Sequence, residues 1–81
     1  MALFRNIERR HLEAGSGRTT IALERDFWRA ADNRAAAEGV SWREWTQKRL
    51  TAMPAGYGRA SWLRVAILND IAASRGLPYD G

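Results

Sequence analysis

Larger β-branched or apolar side chains recur at every second position in one short stretch of the chain, Arg18-Thr19-Thr20-Ile21-Ala22-Leu23. Thr19, Ile21 and Leu23 fall on one face there, and Arg18, Thr20 and Ala22 on the other, which is the period of two of a half-buried strand. A lone strand of this length does not stand by itself. No second strand pattern is visible elsewhere in the sequence. Either the pairing strand comes from a second copy of the chain, or the segment is not a strand.

Three longer stretches carry helical spacing. Residues 25–38, RDFWRAADNRAAAE, contain five alanines and neither glycine nor proline, a composition that favours helix. Glu24 and Asp26 stand near its start, where the helix dipole favours acids. Phe27, Ala31 and Ala35 form a four-residue row with Trp28 beside it, and Gly39 stands where a helix-ending glycine belongs. Ser41 followed three residues later by Glu44 has the capping-box spacing, so a second helix is predicted from about Trp42. Trp42, Trp45, Thr46, Leu50 and Met53 share its apolar face, and Pro54 stops it. Residues 54–58, PAGYG, form a connecting loop. A third helix is predicted from Arg59 or Ser61 to Ser74. Its Trp62, Leu63, Val65, Ala66, Ile67, Leu68 and Ile71 cover most of the circumference, which points to burial on more than one side and to a contact between subunits.

The beginning of the chain is less patterned. Phe4, Ile7 and Leu12 give only a faint helical period over residues 1–17, and Gly15-Ser16-Gly17 reads as a flexible break. The segment is read as a flexible basic arm whose Arg5, Arg9 and Arg10 reach DNA backbone, or as a solvated tail. Residues 76–81 form a short tail. In domain terms the arm covers 1–17, the core 18–53 and the additional helix 59–75.

Composition narrows the function classes. With 81 residues and no cysteine, one small domain is expected without disulfides, and oligomerisation is the remaining common means of stabilising it. One histidine and no cysteine leave no ordinary zinc site, so neither metal nor cofactor is expected. A net charge of +4, with thirteen Lys and Arg residues against nine Asp and Glu, favours an anionic partner, nucleic acid before membrane. Twelve of the thirteen are arginine, whose planar fork suits phosphates and guanine edges. No apolar run is long enough to span a bilayer, the N-terminus has no secretory signal pattern, and the absence of cysteine points to the cytoplasm. Neither a nucleophile–base constellation nor a glycine-rich phosphate loop is present, so no enzyme is expected. His11, alone in the predicted arm, has no catalytic or metal partner in sequence.

The order strand, helix, Gly39-Val40-Ser41 turn and helix, carried by TTIALERDFWRAADNRAAAEGVSWREWTQKRL at residues 19–50, resembles the ribbon-helix-helix family of DNA-binding proteins. The spacing from Thr20-Ile21-Ala22-Leu23 to Gly39-Val40-Ser41 agrees with the family without a gap. The stretch SWLRVAILNDIA is similar to a bacterial subgroup with an extra C-terminal helix. The fold class this implies is mainly α: one N-terminal strand pairing antiparallel with the same strand of a second chain, then three helices. The resemblance further implies that Arg18, Thr20 and Ala22 contact bases in the major groove, while the start of the second helix at Ser41, Trp42 and Arg43 holds a phosphate through backbone N–H groups. A two-stranded ribbon fits that groove, and a helix N-terminus suits phosphate.

Three residues depart from the family's pattern. Ala22 offers only an apolar contact where a polar reader is common. Arg34 stands at a commonly buried apolar position, so it either snorkels or changes the packing of the first helix. Trp42 is bulky enough to meet DNA sugar or a neighbouring dimer. Trp28 and Trp45 are assigned to the core, and Trp62 to the core or a dimer interface. The expected function is a sequence-specific transcriptional repressor acting on double-stranded DNA as a homodimer or higher oligomer. The alternative is a protein-partner module on the same fold, an antitoxin or a relaxosome accessory protein.

Overall fold

The computed structural model describes residues 6–14 and 17–75. Arg5, the Gly15-Ser16 step and the tail 76–81 lie outside the described residues. Two strands and three helices follow one another: β1 (Ile7–Ala14), β2 (Gly17–Glu24), α1 (Arg25–Glu38), α2 (Trp42–Thr51) and α3 (Arg59–Ser74).

The first strand corrects two expectations. Residues 7–14, read as part of a flexible arm, form β1. They pair antiparallel with β2 in a register running from Ile7↔Glu24 through His11↔Thr20 to Ala14↔Gly17. The alternating strand therefore has a partner in the same chain, where a second copy was expected to supply it. Two equal strands separated by two residues can close as a hairpin. The Arg25 backbone N–H donates to the Asn6 carbonyl at 2.7 Å, which extends the same register one step. Because hydrogen-bonded and non-hydrogen-bonded pairs alternate in an antiparallel ladder, Arg9↔Ala22, His11↔Thr20 and Glu13↔Arg18 are then non-hydrogen-bonded pairs, in which side chains stand closest.

One face of the hairpin covers the helices. Leu12, Ile21 and Leu23 are buried on it and join Trp28, Ala31, Ala35, Trp45, Leu63 and Ile67 in a single core. Among the described side chains of β1, Leu12 is the one buried apolar residue. Glu8 and Arg10 of its inward face are charged, and Arg10 docks it. The Arg10 guanidinium lies 4.6 Å from the Trp28 ring centroid and 4.8 Å from that of Trp42. It also donates two hydrogen bonds to Asp32, at 2.7 and 3.0 Å, and one to Glu8 at 2.7 Å. The bonds to Asp32 hold this guanidinium above its usual range against the opposing effect of burial, and Glu8 adds to them. A pKa raised on folding contributes stability that is fully present below the usual arginine range while Asp32 and Glu8 are ionised, and that is lost in strong base. Beside it the Trp28 indole N–H donates to the Glu8 carbonyl at 2.8 Å.

The helices form where the spacing predicts. Gly39 ends α1 at φ 75, a left-handed conformation that glycine adopts without a Cβ penalty. Ser41 caps α2, its hydroxyl accepting from the Glu44 N–H at 3.1 Å. Trp28 and Trp45 are fully buried, as assigned. Trp62 is half-buried, donating to the Arg49 carbonyl at 2.7 Å with its ring edge-on to Tyr57. Two more arginines tie elements together. Arg49 on α2 bonds both Glu38 of α1 and Asp70 of α3. Arg64 on α3 grips Glu24, at the end of β2, through two hydrogen bonds of 3.0 and 3.2 Å. Arg34 is half-buried and its Nε has no hydrogen-bond partner among the described residues. Against α1, the third helix leaves an apolar groove lined by Phe27, Ala30, Ile67, Leu68 and Ile71.

Arg10→Ala is expected to destabilise the protein by about 2 kcal/mol, from two lost cation–π contacts and a carboxylate pair that is only partly desolvated. Urea unfolding measures this, and Asp32→Asn loses a smaller share. Ser41→Ala removes the α2 cap and is expected to cost about 1 kcal/mol in the same measurement.

Candidate nucleic-acid interface

The hairpin turns its other face to solvent. Strand alternation places Arg9, His11 and Glu13 of β1 there, opposite Ala22, Thr20 and Arg18 of β2. All are exposed except Ala22, which is half-buried. The period of two read from residues 18–23 is thus realised, with Ile21 and Leu23 inside and Arg18 and Thr20 outside. Arg9 and Arg18 form no ion pair with any described residue, unlike Arg10, Arg49 and Arg64. His11 Nδ1 and Thr20 Oγ1 are 2.8 Å apart, the close approach that a non-hydrogen-bonded pair permits.

The start of α2 adjoins this face. Gln47 donates from its side chain to the Glu13 carbonyl at 3.1 Å, which seats the helix against the far end of β1. One shallow depression is lined by His11, Leu12, Glu13, Arg18 and Arg43. A second is lined by Leu12, Glu13, Ser41, Arg43, Glu44 and Gln47. Arg43 borders both, so it connects the hairpin surface with the helix start. The Ser41 hydroxyl satisfies the Glu44 N–H, and the N–H groups of Trp42 and Arg43 have no acceptor within the helix. Arg43 is exposed, its guanidinium 4.7 Å from the Trp42 ring centroid.

The predicted site residues separate into two sets. Arg18, Thr20 and Ala22 share the outer face, and Ser41 and Arg43 stand at its margin. Arg9 joins the outer face as a strand residue, so its place in a mobile arm is corrected. Arg10, the neighbouring arm residue, is turned inward and held by Asp32, Glu8 and two indoles, because strand geometry sends successive side chains to opposite faces. It is not a surface cation. The Trp42 ring is likewise committed inward, edge-on to Trp28 with ring centroids 5.7 Å apart.

Sequence reasoning missed His11 and Glu13 as members of this surface. A signal was present: Gly15-Ser16 between two segments of equal length is a two-residue hairpin combination. The charged inward positions Glu8 and Arg10 hid it by removing apolar alternation from residues 7–14.

Electrostatically the face is mixed but carries more unpaired cations than anions, with Arg9, Arg18 and Arg43 against Glu13 and Glu44. Donors and acceptors alternate on a ribbon two strands wide, the width that the major groove of DNA admits. Among the described residues no group of three His, Asp or Glu side chains is arranged to hold a metal ion, and no helix is long and apolar enough to cross a membrane.

Comparison with known proteins agrees with this architecture. A family model described as a ribbon-helix-helix domain matches residues 7–71, a span that begins at the first residue of β1 and reaches the last turns of α3. No curated protein and no solved structure matches the chain. With the hairpin, the capped second helix and the third helix all inside the matched span, the chain belongs to the ribbon-helix-helix domain family.

Proposed function

We propose that this protein is a sequence-specific DNA-binding regulator, a transcriptional repressor of the cytoplasm, that lays the outer face of its hairpin in the major groove. The carrying observation is the exposed ribbon face with unpaired Arg18 and Arg9, continuous through Arg43 with the free N–H groups of α2. Family membership supports a DNA-binding or antitoxin-type role in general, and such domains generally bind DNA as dimers. Two chains, or a higher assembly, then occupy repeated half-sites, each chain contributing its own complete ribbon.

The roles follow from chemistry. Arg18 donates to guanine O6 and N7, Thr20 meets a base edge, and Ala22 contacts a thymine methyl. Ser41 holds the first turn of α2 in shape while the N–H groups of Trp42 and Arg43 receive a phosphate, aided by the helix dipole. Those contacts set orientation, and the ribbon supplies sequence preference.

Anisotropy titration with duplex DNA tests the reading. Arg18→Ala and Thr20→Ala are each expected to cost about 1–3 kcal/mol on a selected site and less on unrelated DNA. Arg43→Ala is expected to weaken all sequences alike and to reduce the salt slope by about one unit. No duplex binding even at low salt would contradict the reading and favour the protein-partner role.

A further inference from the structure

The outer face contains a strand, β1, to which the reading above assigns no base contact. β1 places Arg9, His11 and Glu13 beside Ala22, Thr20 and Arg18, three cross-strand rows that lie between the turn and the Ile7–Glu24 pair at the other end of the hairpin. Successive rows are two residues apart, about 6.8 Å along a strand, which is about the rise of two base pairs. The middle row is His11 with Thr20, joined across the hairpin at 2.8 Å. Arg9 lies on one side of it and Arg18 on the other, on opposite strands.

That middle bond constrains what the two side chains can offer. If the threonine hydroxyl donates to Nδ1, the imidazole presents Nε2–H outward as a donor and Oγ1 remains an acceptor. If Nδ1–H donates to Oγ1, Nε2 is the acceptor and the hydroxyl is the donor. In both tautomers of neutral His11 the pair shows one donor and one acceptor to solvent. Adenine is the base whose major-groove edge carries the complement, an N7 acceptor beside an N6 donor, whereas guanine carries two acceptors there. Arg9 and Arg18, which have donors only, complement guanine.

We propose that β1 is a second reading strand, in which His11 and Thr20 act as one donor–acceptor unit selecting adenine, flanked by Arg9 and Arg18 selecting guanine. The inference rests on the DNA-binding reading and assigns base specificity to His11 and Arg9. The hairpin of a single chain is accordingly an asymmetric reader, with different side chains on its two strands. Glu13, beside Arg18, adds an acceptor for cytosine N4 in the third row.

Selection of bound duplexes from a random library by the full chain, followed by titration against single-base variants of the selected site, tests this. The expected site has an adenine preference of about tenfold between two guanine preferences. His11→Ala and Thr20→Ala are expected to relax the same adenine position to within about twofold, and the double variant to relax it no further. Arg9→Ala and Arg18→Ala are expected to relax different guanine positions. None of these side chains bonds anything inside the core, and circular dichroism of each variant verifies the fold. Uniform weakening by His11→Ala and Arg9→Ala across all sequences would reduce β1 to backbone contact and overturn the inference. Unchanged preferences in these two variants, with Arg18→Ala and Thr20→Ala still relaxing theirs, would overturn it too while leaving the DNA-binding reading intact. A wild-type chain that selects no sequence and binds no duplex at low salt would overturn both.

Discussion

The outer face of the hairpin depends on one partly buried cation, Arg10. Among its described side chains, β1 brings one buried apolar residue, Leu12, to the core, little hydrophobic surface to hold an eight-residue strand in place. Arg10 supplies the rest, stacked between Trp28 and Trp42 and bonded to Asp32 and Glu8. Guanidinium suits this position because its faces stack on aromatic rings while its edges donate in the plane. The contact fixes β1 over the start of α2 and the middle of α1 at once. With β1 fixed, β2 has its partner, and the outer face becomes a ribbon of defined register.

Six of the arginines divide by this architecture into two groups with opposite uses. Arg10, Arg49 and Arg64 each bridge elements distant in sequence and are partly desolvated by doing so. Arg49 and Arg64 anchor α3 to α1, α2 and the end of the hairpin, so the third helix supports the ribbon from below. Arg9, Arg18 and Arg43 keep their forks in solvent. Net charge alone does not separate these groups, since ion pairs within the fold leave the total unchanged. On the hairpin and the start of α2, Arg9, Arg18 and Arg43 stand beside free N–H groups that add a partial positive charge of the same sense.

Much of this was legible in the sequence. The alternation of residues 18–23, the capping box at Ser41 and Glu44, the helix-ending Gly39 and the limits of α3 all correspond to observed features, because each depends on local rules of spacing and backbone geometry. The family resemblance at residues 19–50 agrees with the match over residues 7–71. What was not legible is β1. Its inward face reads Glu8, Arg10, Leu12, which resembles a solvated segment until Trp28, Trp42 and Asp32 are known to converge on it from residues far along the chain. The same misreading made the strand pairing appear to need a second copy and left Arg10 among the surface cations. Of the candidate site, the β2 half and the α2 start were found from sequence, and the β1 half emerged only once the register was known.

The central claim, that both strands of one chain's hairpin form the DNA-facing surface, is tested most directly by amide NMR shifts of the isotope-labelled protein on titration with duplex DNA. The account predicts the largest changes at Arg9, His11, Arg18 and Thr20, with smaller ones at Trp42 and Arg43 and little change along the apolar groove of Phe27, Leu68 and Ile71. Changes confined to α3 and that groove, with the hairpin undisturbed, would contradict it.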